Sequence, residues 1–177
     1  MPFQAPAEGV LLPPYRVLDL TGPEGVFCGK LLADYGAEVI KVEPPTGDVT
    51  RQRPPFISDV PGIERSSYFL FYNTNKKSVT VDLETSEGQV VFKKLAASAD
   101  VLIESFPVNY MQSLGLDYDS LRQVNPGLIM ASITPFGQTG PWKDYKSTDL
   151  ISLTASGFMQ ITGDPDGPPL RQGNEQS

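Results

Sequence analysis

Residues 16–43 read RVLDLTGPEGVFCGKLLADYGAEVIKVE, and this stretch decides the fold. Arg16–Leu20 is a short apolar run that predicts a strand, and Thr21-Gly22-Pro23 ends it. From Glu24 to Tyr35, Val26, Leu31, Leu32 and Tyr35 fall at helical spacing. Gly36 follows as the helix C′ residue, where only glycine takes the left-handed conformation without a steric cost. Glu38–Val42 (EVIKV) is a second apolar run. Strand, helix and strand in so few residues make a βαβ unit, which places the two strands parallel.

The same rhythm continues outward. Pro44 to Ile63 holds five prolines and two glycines and predicts a long surface loop. Ser66–Asn73 (SSYFLFYN) is apolar and fits either helix or strand. Ser78–Leu83 (SVTVDL) alternates as a strand does. Ser86 with Gln89 fits a capping box, ahead of a helical stripe through Val91, Leu95 and Ala99. Asp100–Glu104 predicts a strand, Asn109–Leu114 and Tyr118–Val124 two short helices, and Leu128–Thr134 a further buried strand. From Pro135 a second loop begins, with a helix expected at Thr148–Gln160 and a loop-like tail at Gly163–Ser177. The fold class is therefore α/β, an open, mostly parallel sheet of about five strands with crossover helices. Such a sheet, followed by an unanchored tail, leaves an edge bare, so the chain is expected to be the front part of something longer.

Composition narrows the function. The chain has 177 residues, the usual size of one domain, and 40% are apolar, enough for a core. Fourteen basic and 21 acidic residues give a net charge of −7, which argues against a nucleic-acid partner. No apolar run approaches the roughly 20 residues of a membrane span, so no membrane partner is expected. The absence of histidine excludes Ser-His-Asp and Cys-His catalysis, a His general base and His-ligated zinc in these residues. The lone Cys28 excludes an internal disulfide and a CxxC site. With no charged lead-in to the apolar N-terminal patch and no Asn-x-Ser/Thr sequon, a cytoplasmic location is expected.

Nucleotide fingerprints are missing, since no GxGxxG follows the first strand and no GxxxxGKS/T occurs. Thr162–Gly167 has the look of a calcium-loop centre, but Gly173 stands where the final glutamate is required, so no metal site is assigned and the segment reads as an Asp/Pro/Gly turn. Asn73-Thr-Asn-Lys-Lys77 reads as a solvated turn or as a phosphate or pantetheine contact, the former favoured. Lys41 lies where a parallel strand would carry an apolar side chain; it either pairs with Glu43 or reaches over the strand end toward a ligand. The helix start at Glu24 offers free backbone N–H groups, a candidate anion site, although the carboxylate itself would suit the dipole.

Six collinear blocks carry a resemblance: RVLDLT (16–21), LLADYGAEVIKVEPPTGDVTR (31–51), YFLFYNTNKKSVTVDLETSEG (68–88), ADVLIESF (99–106), LGLDYDSLRQVNPGLIMASITPFGQTGPW (114–142) and TGDPDGPP (162–169). Together they resemble the family III CoA-transferases, the group of formyl-CoA transferase, carnitine CoA-transferases and the bile-acid-inducible F type. The resemblance implies an open, Rossmann-like sheet within a larger, interlocked homodimer, with residues 1–177 as its N-terminal segment. It implies an enzyme that moves CoA from an acyl-CoA donor to a carboxylic acid acceptor, with no tightly bound cofactor and CoA or acyl-CoA as substrate.

By the same resemblance an aspartate is the nucleophile, attacking the thioester to give a mixed anhydride and then an aspartyl-CoA thioester. Its position falls immediately after Ser177, so no catalytic residue is assigned within these residues; the TGPEG turn leaves open a subgroup with another residue there. Carboxylate nucleophiles need neither His nor Cys. Family CoA-binding positions map onto Glu24 and Gly25, onto Val81, Asp82, Leu83 and Glu84, onto Ser105 and Phe106, and onto Lys146. The segment after Thr21 is one residue shorter than in formyl-CoA transferase, and two of that enzyme's arginines fall on Pro44 and Ser113. The expected counter-charge for CoA is a cluster of Lys41, Arg51, Lys76 and Lys146. The α-methylacyl-CoA racemase branch needs a His near Lys146–Asp149, which here reads KSTD, so that reading is disfavoured. A non-catalytic CoA-binding or scaffold subunit is the alternative.

Overall fold

Parallel pairing follows from the connections, because each crossover carries a helix or a long loop. In a computed structural model that describes residues 11–12 and 15–171, the order is β1 (Arg16–Leu20), α1 (Val26–Asp34), β2 (Glu38–Glu43), α2 (Ser67–Tyr72), β3 (Lys77–Thr80), α3 (Ser86–Ala96), β4 (Val101–Glu104), α4 (Tyr110–Ser113), α5 (Tyr118–Val124), β5 (Ile129–Ser132) and α6 (Asp149–Ala155). The N-terminal patch read from residues 1–15 and the last six residues of the tail lie largely outside the described residues. The chain forms two compact units divided after Ile133.

The first unit holds one five-stranded sheet in the order β3-β2-β1-β4-β5, and every pair is parallel. Strand order reverses at β1, which lies between β2 and β4; this is the doubly wound arrangement in which ligands sit beyond the strand ends. Alternation along the strands sends side chains to two faces. Leu18, Leu20, Val42 and Leu102 join Phe92, Ala96, Leu116 and Leu121 in the larger core, under α3 and α5. Val17, Val39 and Ile103 join Ala33 and Ala37 on the face that α1 covers.

Several boundaries differ from the sequence expectation, each for a local reason. The first helix starts at Val26 rather than Glu24 because Gly25 is its N-cap, and Gly36 takes φ 107° beyond its end, as a C′ glycine should. The ambiguous Ser66–Asn73 segment is a helix, capped by Ser66, whose hydroxyl accepts from Phe69 N at 3.1 Å. Thr85, not Ser86, caps α3, accepting from Gly88 N at 3.1 Å, while Gln89 turns back to the Leu83 carbonyl instead of completing a box. The buried stripe of α3 accordingly moves to Gly88, Phe92 and Ala96, leaving Val91 exposed. Strands β3 and β5 are shorter than their apolar runs, and both lie at sheet edges with mostly exposed residues.

In the second unit, the expected helix Thr148–Gln160 breaks at Gly157 (φ 75°) into α6 and a short 3₁₀ turn, Phe158–Ile161. Beyond it Gly167 N donates to the Asp164 carbonyl at 3.0 Å, so the Asp/Pro/Gly segment is a turn. No helix among the described residues is long and apolar enough to cross a membrane.

Gly88 fixes how closely α3 approaches the sheet. A Cβ there would lie 1.7 Å from the Asp82 carbonyl oxygen, a backbone atom that cannot move aside alone. Gly88→Ala is expected to lower unfolding free energy by about 3 kcal/mol, at the upper end for overpacking. Urea unfolding at neutral pH measures it, and a loss under about 0.5 kcal/mol, typical of a surface substitution, would show that α3 can shift freely.

Candidate functional site

Parallel register places Asp19 of β1 beside Lys41 of β2, and Lys41 beside Ser78 of β3, all on the face covered by α1. Toward the C-terminal strand ends this face therefore exchanges apolar packing for charge. Asp19 and Lys41 are 0% and 1% exposed. Buried ions survive only when paired and hydrogen-bonded, and these are. Lys41 Nζ lies 2.8 Å from Asp48 Oδ2 and 3.9 Å from Asp19 Oδ1, and it donates to the Thr21 carbonyl. Asp19 Oδ1 accepts from Thr21 N (2.9 Å) and Thr21 Oγ1 (2.6 Å). Its other oxygen accepts from Lys76 Nζ at 2.7 Å, and that ammonium also donates to the Val26 carbonyl and Asn73 Oδ1. Two carboxylates and two ammonium groups leave this cluster neutral. Burial pushes the Lys76 ammonium below its ordinary pKa, against the upward pull of Asp19.

A second pair lies beside the first. Arg51 grips Glu43 with two hydrogen bonds of 2.6 and 2.9 Å, and its guanidinium stacks 3.7 Å from the centre of the Phe69 ring. Ser78 Oγ and Asp48 N also donate to Glu43. Burial alone would raise the Glu43 pKa; the hydrogen bonds from Arg51, Ser78 and Asp48 overcome it and bring it down to about 2. Together the two clusters tie the Pro44–Ser66 loop to the sheet, since Asp48 also caps the 3₁₀ turn Val49–Gln52 and Ser66 Oγ donates to the Arg53 carbonyl.

Helix α1 must come close to this buried carboxylate. A Cβ on Gly29 would lie 2.2 Å from Asp19 Oδ2, and one on Gly25 would lie 2.6 Å from Thr21 Cγ2. Both positions require glycine for space rather than for backbone angle.

Above the clusters, at the strand ends, a continuous rim forms. Gly22 N donates to Ser105 Oγ at 2.7 Å, joining the turn after β1 to the residue after β4. Phe106 N donates to the buried Glu104 carboxylate (2.6 Å), and the Phe106 ring stacks on Tyr110 with centroids 4.6 Å apart. The Tyr110 hydroxyl donates to Glu84, and Glu84 N donates to Asp82 Oδ1 at 3.0 Å. Burial and the Glu84 carboxylate push the Tyr110 hydroxyl up to about 12.

Most of the expected site residues thus share one edge. Glu24 and Gly25 lie in the turn opening α1, Ser105 and Phe106 follow β4, and Asp82, Leu83 and Glu84 follow β3. Val81 turns its side chain into the larger core. Lys146 belongs to the second unit, just before α6. The cations require correction. Lys41 pairs with Asp48 and Asp19, not Glu43, and its ammonium lies beneath the rim rather than in it. Lys76 is neither solvated nor presented to a ligand, and Arg51 belongs to Glu43, so three of the four expected counter-charges are internal. Buried acids claimed them: Asp19 and Asp48, 29 residues apart in sequence, meet only in the fold. Tyr110 escaped the sequence reading, because Phe106 lies outside α4 and the two rings meet across a non-helical segment that no periodicity marks.

A doubly wound parallel sheet with a built rim at its strand-order reversal is the frame of a ligand-binding α/β protein. The sequence profile of CoA-transferase family III matches residues 12–176, and the chain belongs to that family. It is 47% identical to a succinate–glutarate CoA-transferase of Agrobacterium fabrum over 162 residues, covering 89% of this chain and 40% of that protein. It is 43% identical to a succinyl-CoA:glutarate CoA-transferase of Mus musculus over 171 residues, covering 95% and 37% respectively. Among solved structures, a CAIB/BAIF family protein from Brucella suis superposes with a TM-score of 0.83 at 44% identity, covering 91% of this chain and 43% of that one. The chain spans about two fifths of the length of the curated relatives it matches.

The low pKa of Glu43 sets an acid limit. Its ordinary value is 4.5 and its folded value about 2, so its stabilising effect is full above pH 4.5 and is lost as pH falls toward 2. Urea midpoints should fall across that window, and Glu43→Gln should flatten the fall while lowering stability at pH 7 by about 3 kcal/mol. An equally steep acid loss in the variant would assign the effect to other carboxylates.

Proposed function

We propose that this chain forms the N-terminal, CoA-binding part of a CoA-transferase that moves CoA from an acyl-CoA donor to a carboxylic acid acceptor. The observation that carries the reading is the rim running Gly22–Ser105–Phe106–Tyr110–Glu84–Asp82 at the strand reversal, in a member of CoA-transferase family III. In this reading Glu24, Gly25, Asp82, Leu83, Glu84, Ser105 and Phe106 contact CoA along the rim, and the Val81 backbone supports them. Lys41 serves from below. The ring of Phe106, backed by Tyr110, offers a flat apolar surface to CoA.

The chemistry proposed is covalent. An aspartate carboxylate, at the position following Ser177 in a longer polypeptide, attacks the acyl carbonyl and expels CoA thiolate, leaving a mixed anhydride. The thiolate attacks the aspartyl carbonyl and releases the donor acid, giving aspartyl-CoA. The acceptor carboxylate then reverses both steps and leaves with CoA, restoring the aspartate. The working form is proposed as a cytoplasmic homodimer. Exposed apolar side chains on α1 and α2 (Phe27, Leu31, Phe71) support an unburied partner surface in the lone chain.

Isothermal titration of CoA into the purified chain tests the reading. Saturable binding is expected, with Phe106→Ala weakening it about tenfold, roughly 1.4 kcal/mol. Absence of binding by a chain that melts cooperatively, or an unchanged Kd in the Phe106 variant, would contradict it.

A further inference from the structure

Thr21 is held at every polar atom it has. Its amide and hydroxyl donate to Asp19, and its carbonyl accepts from Lys41. Thr21 is 1% exposed, so none of these groups can exchange its partner for water. The next residue, Gly22, is tied to Ser105, and its carbonyl accepts from Gly25 N (3.2 Å) and Val26 N (3.0 Å). The turn that carries Glu24 and Gly25 is therefore held at Thr21 and at Ser105, and Thr21 in turn hangs from two buried charges. One of them, Lys41, is itself neutralised from outside the sheet, by Asp48 of the long loop.

We infer that Lys41 is a positioning residue that sets the place of the Thr21–Gly25 turn, with Asp48 of the Pro44–Ser66 loop as its counter-charge. The inference rests on the CoA-binding reading for its consequence but not for its geometry. The neighbouring Glu43–Arg51 pair provides the contrast. It holds the same loop, through Asp48 N and Arg51, yet makes no hydrogen bond to Thr21. A loop anchor and a turn anchor can therefore be separated.

The experiment is amide hydrogen exchange on the full 177-residue chain without ligand, comparing Lys41→Met with Glu43→Gln. Exchange at Gly22, Gly25 and Val26 is read against Leu102 and Ile103 of β4, which report global opening. Lys41→Met should speed exchange at the turn by about tenfold beyond any change in β4, a local loss that a merely structural role would not give. Glu43→Gln should move turn and strand alike. If Lys41→Met fails to fold, Lys41→Met with Asp48→Asn removes the uncompensated carboxylate and answers the same question. Equal changes at turn and strand with Lys41 replaced, or the same local loss in Glu43→Gln, would overturn the inference. In parallel, CoA titration should show a Kd raised about tenfold by Lys41→Met and within about twofold for Glu43→Gln. Failure of the native chain to bind CoA would sink the CoA reading alone, because the exchange result stands without ligand.

Discussion

A single ammonium group, Lys41 Nζ, touches the three parts of the fold that have to agree. It lies on β2, it donates to the turn after β1, and it pairs with Asp48 of the loop that covers the sheet. An apolar residue at this central position would pack, but it would leave the Thr21 carbonyl without its side-chain donor and the buried Asp48 carboxylate without its counter-charge, which costs more than packing returns. The charge is acceptable here because Asp19, Asp48 and Lys76 make the cluster neutral.

From that constraint the arrangement of the site follows. Strands end in an ordered row, α1 comes down onto Asp19 through Gly29, and the turn opening α1 stays fixed against Ser105. The Pro-rich loop, which would otherwise be a long unstructured crossover, is fastened to the sheet by two buried ion pairs. Preorganisation of this kind lowers the ordering cost of binding at the rim.

The sheet was legible because its signals are local. Arg16–Leu20 matches β1 residue for residue, and the helix-then-glycine pattern placed α1 within two residues. The edge strands and the cap of α3 were less legible, because β3 and β5 shorten for want of a second neighbour and the choice between Thr85 and Ser86 depends on how Gly88 docks. Rim residues were placed by family resemblance, and the fold does bring the β1, β3 and β4 ends to one edge. The role of the cations was not legible. Lys41, Arg51 and Lys76 are basic residues near a proposed anionic ligand, and sequence alone could not show that Asp19, Asp48 and Glu43 reach them first. Their pairing is a property of strand register and loop return, both non-local.

The central claim is that Lys41 and Asp48 act as one unit, and a double-mutant cycle tests it most directly. Unfolding free energies of Lys41→Met, Asp48→Asn and the double variant should differ from additivity by about 2 kcal/mol, with the double variant less damaged than the sum of the singles. Additivity to within about 0.5 kcal/mol would mean that the two residues stabilise the fold independently, and the account built on their pairing would be wrong.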